Sequence, residues 1–306
     1  MKNECLSRMM IFVLVWMALI SSAWSGQVVT QDAKLWAKKA LAEEKTLRTI
    51  AGKNTVAVLY FQNRTGQTSL DPLQKGMALM LITDISKVQG IQVVERIKLQ
   101  ALMDEMALGV SGLVEANTAP RVGKLLGAQW IVGGSILEGK INQLRFQSHP
   151  LDVPTQKILG EPTAEGPFAE LFRVEKELLL EIIKLLKIEL KPAEEVELRK
   201  PCSKNPGALT AFFKAIDASD REDYKAAGEF YQKALKEDPG ICGAGEGLRE
   251  LQTLGLFAGQ KKSQEMLHSL KERTSLTDQL SPEDSVKRVK RPKDIPSPVR
   301  IDLNFP

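Results

Sequence analysis

An unbroken run of β-branched and aromatic residues, Thr55-Val-Ala-Val-Leu-Tyr-Phe61, constrains the fold of this chain more than any other feature. A strand that is apolar on both faces must be covered on both, which makes it a central strand in a layered domain. The segments around it supply the cover. Upstream, Asp32 to Ile50 places Trp36, Ala40, Leu41, Leu47 and Ile50 at helical spacing, and Gly52 ends that helix. Downstream, Leu73, Met77, Met80, Leu81, Ile85 and Val88 recur at three and four, predicting an amphipathic helix from Leu73 to Val88. Ile91 to Val94 is a second short strand, closed by Glu95 and Arg96. Leu99, Leu102, Met103 and Met106 line another helix ending at Gly109, and Val122, Leu125 and Leu126 a shorter one after an Asn117 cap. Gln129-Trp-Ile-Val-Gly-Gly-Ser-Ile-Leu137 is a third strand. Lys140 to Gln147 and Lys157 to Leu159 are weaker strand signals around a turn at His149 and Pro150. Glu170 to Leu190 is the strongest helix, with Leu171, Val174, Leu178, Ile182 and Leu185 in one stripe. The expected class is α/β: a compact sheet-and-helix sandwich over residues 54–192, preceded by a leading helix in 26–53.

The amino terminus bears on the compartment. Lys2 and Arg8 flank a polar start, Met9 to Ile20 is an apolar run, and Ala23 and Ser25 stand at the −3 and −1 positions before Gly26. That is the plan of a secretory signal over residues 1–25. The run is too short for a comfortable membrane span, and Cys5 precedes it, so a lipoprotein cleavage pattern is not met. The expected location is the periplasm, with outer-membrane association as the further option. In an oxidising compartment the two remaining cysteines, Cys202 and Cys242, either close one disulfide or stay as two thiols; the spacing leaves both open.

A second unit follows a charged linker over residues 193–206. Ala208 to Pro239 fits one period of a tetratricopeptide-like repeat within residues 207–258. With Pro239 as its terminal proline, Ala227, Tyr231 and Ala234 take the small, aromatic and small positions, Tyr224 opens the second helix, and Ala215 takes the small position in the first. Ala218 stands where an aromatic is usual. One repeat cannot bury its own apolar face. The hairpin must therefore dock on the α/β unit, on another subunit or on a partner. Residues 259–306 read as a helix to Arg273 and then a disordered basic tail carrying Lys287-Arg-Val-Lys-Arg-Pro-Lys293.

Few groups carry chemistry. The chain of 306 residues holds 3 cysteines and 2 histidines, too few for a zinc ribbon or a multinuclear site built from them. A net charge of +4 excludes a whole-chain polyelectrolyte mechanism, so no nucleic-acid partner and at most peripheral membrane contact are expected. Gly123-x-x-x-Gly127 and Gly133-Gly134 fit no phosphate-loop order, and turn and packing roles are expected of them. Asp71, Asp84, Asp104 and Glu105 read as solvated helix faces. Glu95-Arg96 reads as a surface ion pair or helix cap, and His149 as a turn residue. No catalytic residues, cofactor or metal are assigned.

Val56-Ala-Val-Leu-Tyr-Phe61, Asp71-Pro-Leu73, Val93-Val-Glu-Arg96, Leu108-Gly109 with Ser111-Gly-Leu113, and Gly123-Lys-Leu-Leu-Gly-Ala-Gln-Trp-Ile-Val-Gly-Gly-Ser135 together resemble the CsgG and TolB amino-terminal group of envelope proteins. The resemblance covers roughly residues 54–190. It implies a non-enzymatic exported scaffold or adaptor serving an outer-membrane, cell-wall or secretion assembly. Other envelope proteins would bind through the repeat and the α/β domain, with room for a homo-oligomer. Tyr224, Ala227, Tyr231, Ala234, Glu95 and Arg96 are the candidate partner-binding residues. The alternative is a subunit of a curli-type secretion channel ring. Against it, the residues between Ser135 and Glu170 are too few for two membrane hairpins, whose strands need about 9–11 residues each.

Overall fold

A computed structural model describes residues 26–45, 52–108, 118–140 and 143–258. The signal segment, Leu47, Ile50, Gly109, the 111–113 motif, Asn117 and the tail over 259–306 lie outside the described residues. Strand β1 (Thr55–Asn63) is the centre: Val56 through Phe61 are each at most 2% exposed. Strands β2 (Gln92–Val93) and β3 (Trp130–Glu138) flank it in parallel, with Val56 opposite Val93 on one side and Trp130 on the other. Parallel neighbours require crossovers. These are supplied by helices α2 (Pro72–Ile85), α3 (Arg96–Glu105) and α4 (Thr118–Leu126). Beyond β3 the sheet turns antiparallel. Strand β4 (Leu144–Ser148) and then β7 (Thr163–Gly166) extend it in the order β2-β1-β3-β4-β7. The two-residue strands β5 (Leu151–Asp152) and β6 (Lys157–Ile158) pair off the start of β3. Gly134 marks where β3 and β4 come closest: a side chain there would lie 2.1 Å from the Gln147 carbonyl.

The fold is mixed α/β, a sheet-and-helix body followed by helices. Helix α1 (Gln31–Ala42), capped by the Thr30 hydroxyl, packs on α3. Helix α2 is not the amphipathic surface helix its spacing predicts. Every residue from Gly76 to Ile82 is buried, because β1 covers one side and another helix the other. Helix α5 (Leu171–Leu185) packs against β7 and β4. It stops short of Leu190, because Lys187 turns to φ 55° and the Ile188 N–H closes back on the Ile183 carbonyl.

The stretch expected as a linker begins with a helix, α6 (Pro192–Leu198). Pro192 occupies its first turn, where no backbone donor is lost. Glu194 accepts the Lys191 N–H at 2.8 Å and the Gln89 N–H at 2.9 Å, and Leu198 is buried. These anchors outweigh the charged composition. Helices α7 (Pro206–Asp220), capped by Asn205, and α8 (Tyr224–Glu237), capped by Asp223, form the expected hairpin, and α9 (Ala244–Thr253) packs on α8. Of the three docking options, the hairpin takes the α/β body: α7 lies on α2. Gly76 permits this contact, since a side chain on it would meet the Phe213 ring at 2.4 Å. A disulfide joins Cys202 to Cys242, with the Cα atoms 5.4 Å apart. It ties the segment before α7 to the segment before α9.

Candidate functional site

The six residues singled out from sequence divide by burial. Ala227, Tyr231 and Ala234 are fully buried: their small, aromatic, small spacing packs α8 onto the hairpin's own neighbours instead of lining an open groove. Phe212 and Tyr231 meet at a tilt with ring centroids 6.1 Å apart, and Gly247 of α9 lies against the Tyr231 ring. Tyr224 and Glu95 are half-buried, and Glu95 stands 3.9 Å from Lys98. Arg96 corrects its surface reading outright: it is 1% exposed. Asp84 likewise leaves the solvated face expected of it and is 4% exposed. Asp71, Asp104 and Glu105 are exposed, as expected.

Arg96 is buried because three elements bring acceptors to the first turn of α3. Its Nη1 donates to both oxygens of Asp220 at 3.0 and 2.9 Å and to the Tyr60 hydroxyl at 3.1 Å. Its Nη2 donates to the Gln27 carbonyl at 2.6 Å. The Tyr60 hydroxyl donates to Gln100 Oε1 at 2.9 Å, and Gln100 Nε2 donates to Asp104 at 2.7 Å. Lys75 of α2 adds a second cation, 2.9 Å from Asp220 and 3.2 Å from Asp217. The site thus joins the amino-terminal segment, β1, α2, α3 and α7. Burial works against the charge on Arg96, but Asp220 and the Tyr60 hydroxyl more than restore it, and its pKa is raised. Burial also raises the Tyr60 pKa, so the phenol stays protonated and can donate. One guanidinium nitrogen, Nε, has no partner. A charge so buried and so matched is a structural junction, and removing one partner of such a pair is far more damaging than removing a surface ion pair.

Beside the junction lies a cleft of about 360 Å³. Leu79, Ile82, Val93, Phe212 and the Cys202–Cys242 bridge form its apolar wall, and Asp84, Lys87 and Glu95 add charged groups. Its size lies at the lower end of the range for small-ligand sites. Among the described residues, no group of three or more His, Cys, Asp or Glu side chains is placed to hold a metal ion. His149 follows β4, half-buried, with its N–H on the Gly133 carbonyl at 2.9 Å. Gly123 packs against Ile131 and Val153, and Gly133 against Leu59. Among the described residues no helix is long and apolar enough to cross a membrane. The burial of Arg96 was not readable from sequence: the one local signal, an arginine opening a helix just after a short strand, is shared by many surface arginines.

One family model matches part of this chain. The model of the family described as "Curli production assembly/transport component CsgG" matches residues 37–143, from within α1 through β3. A protein of Rhizobium meliloti (strain 1021) named "Putative adenylate cyclase 3" is 24% identical over 198 residues, 64% of this chain and 32% of that protein. The chain therefore spans about a third of the length of the curated relative it matches. Among solved structures, the LpoB C-terminal domain from Salmonella enterica is 17% identical, covering 44% of this chain and 94% of that one at a TM-score of 0.32. Lipoprotein GNA1162 from Neisseria meningitidis is 12% identical, covering 37% of this chain and 80% of that one, also at 0.32. The matched span holds β1, β2, β3 and Arg96, but neither Asp220 nor the hairpin that supplies it.

Proposed function

We propose that this chain is an exported, non-enzymatic cell-envelope adaptor that helps to assemble or organise an outer-membrane, cell-wall or secretion machine. The observation that carries the reading is the match of the curli assembly and transport family over residues 37–143, with its strands at the centre of the fold. The junction supports it, because the hairpin is pinned to the sheet by Arg96 and Asp220 and the two present a preformed surface. With Ala227, Tyr231 and Ala234 turned inward, a partner at the hairpin meets its outward face, where Lys225, Glu229 and Lys233 are exposed. Such a contact is polar and salt-sensitive.

The channel-ring alternative would need long membrane strands after β3. In that stretch β4 to β7 are five, two, two and four residues long, and all pair within the domain's own sheet. The adaptor reading is therefore preferred. The cyclase name of the curated relative lends no activity here, since two thirds of that protein lies outside the match. Osmotic-shock fractionation of intact cells, followed by sizing, tests the proposal. Release as a small soluble species is expected. Recovery as a large, detergent-stable outer-membrane ring would put the channel first.

A further inference from the structure

The segment Gly26–Val28 is held more firmly than a leading strap needs to be. Gln27 and Val28 are 6% and 3% exposed, and the Gln27 carbonyl receives Arg96 of the junction. Glu250 of α9 accepts the backbone N–H groups of Gln27 at 2.6 Å and Val28 at 3.3 Å. Among the described residues no lysine or arginine forms an ion pair with Glu250. Gly26 lies directly against it: a side chain at that position would meet Glu250 Oε1 at 2.7 Å. Independently, the sequence places Ala23 and Ser25 at the −3 and −1 positions before Gly26, after a basic start and an apolar run. The carboxylate lacking a cation and the residue expected to become the amino terminus are therefore side by side.

We propose that the Ser25–Gly26 bond is a processing site and that the ammonium group freed on Gly26 is the cation of Glu250. A leader-cleaving endopeptidase hydrolyses the bond. Water's hydroxyl goes to the Ser25 carbonyl carbon, the C–N bond breaks, and Gly26 nitrogen takes up protons to become an ammonium. Before cleavage that nitrogen is a neutral amide. Afterwards it is charged, and a charge-assisted contact to a carboxylate is roughly twice as strong as a neutral one. Cleavage thus tightens the strap that holds the Gln27 carbonyl on Arg96. A side chain at this position would force the Glu250 carboxylate to swing aside. The proposal rests on the export contained in the adaptor reading and goes beyond the rest of it.

The full chain, exported with its own leader, is to be examined by amino-terminal sequencing and intact mass, and Gly26 is expected as the first residue. Any other first residue overturns the proposal. Glu250→Gln is then compared in two backgrounds: the natural chain, and a chain with Asn-Gln-Asn inserted after Ser25, which offers no small residues at −3 and −1 before Gly26 and leaves Gly26 nitrogen a neutral amide after cleavage. The substitution should lower the melting temperature by roughly 2–4 °C more in the natural chain than in the inserted one. An equal loss in both overturns the ion pair. If Glu250→Gln does not fold, the unaltered processed chain decides. Its Gly26 amine should acetylate more slowly when native than when unfolded in urea, and equal rates overturn the pairing.

Discussion

Helix α2 carries a buried charge cluster near each end, and the two are built differently. At Lys75, two cations, Arg96 and Lys75, face Asp220 and Asp217, with Tyr60 and Gln27 taking up further donors. At Asp84, the lysines Lys176 and Lys87 both turn to that one carboxylate. Glu175 beside it is 0% exposed, and neither of its oxygens accepts a hydrogen bond. Lys176 Nζ is 3.1 Å from Glu175 Oε2. Burial, and then the negative Asp84, push the Glu175 carboxyl up to about 8. The first cluster sets two cations against two carboxylates, whereas in the second burial keeps a proton on one of the two carboxyl groups. The first should therefore be insensitive to pH near neutrality and intolerant of substitution, and the second the reverse.

The largest expected effect tests the first half of that contrast. Asp220→Asn leaves Arg96 buried without a counter-charge and Lys75 with Asp217 alone, and should cost about 3–5 kcal/mol in urea denaturation. A loss below about 1 kcal/mol, the scale of a surface pair, would erase the distinction between the clusters. Gly76→Ala, between them on α2, should cost about 1–3 kcal/mol by pressing a methyl group into the Phe213 ring. Unchanged stability there would mean that α7 can retreat from α2 without loss. Tyr60→Phe keeps the ring under Lys75 but removes the hydroxyl between Arg96 and Gln100, and should cost about 1–2 kcal/mol.

Glu175→Gln should be the mildest, and its effect should depend on pH. In the folded chain the carboxyl keeps its proton up to about pH 8, whereas an unfolded glutamate releases it near 4.5. The native state then binds more protons than the unfolded state across that window, so this group's contribution to stability falls as pH rises. It is fully present below 4.5 and lost as pH rises through about 8. Glutamine does not titrate. Relative to the natural chain, the variant should gain stability between about pH 5 and about pH 8. The same difference at both pH values would show that Glu175 is charged in the fold and that the two clusters are alike.

Much of the body was legible because its signals are local. The run from Val56 to Phe61 is apolar at successive positions, which only a strand covered on both faces tolerates, and all six are buried. Ala227, Tyr231 and Ala234 were read both as helix-packing residues and as candidates for a partner surface, and all three are buried. Spacing says that a face is covered and is silent on what covers it. The helix Pro192–Leu198 was missed because its hold on the fold depends on Gln89, distant in sequence, and on the burial of Leu198, which its charged neighbours do not announce.

The chain by itself determined its layering: the positions of β1, β3 and α5, the hairpin of α7 and α8, and the inward face of each. Periodicity carries that information, because burial of one face recurs at the pitch of the element. Only the tertiary structure decided where charge would be buried and which thiols would meet. Arg96 and Asp220 are 124 positions apart, and Cys202 and Cys242 are 40 apart. An arginine is tolerated in the interior only when its acceptors converge on it. That convergence belongs to the way α7 docks on α2, and no segment of the sequence contains it alone.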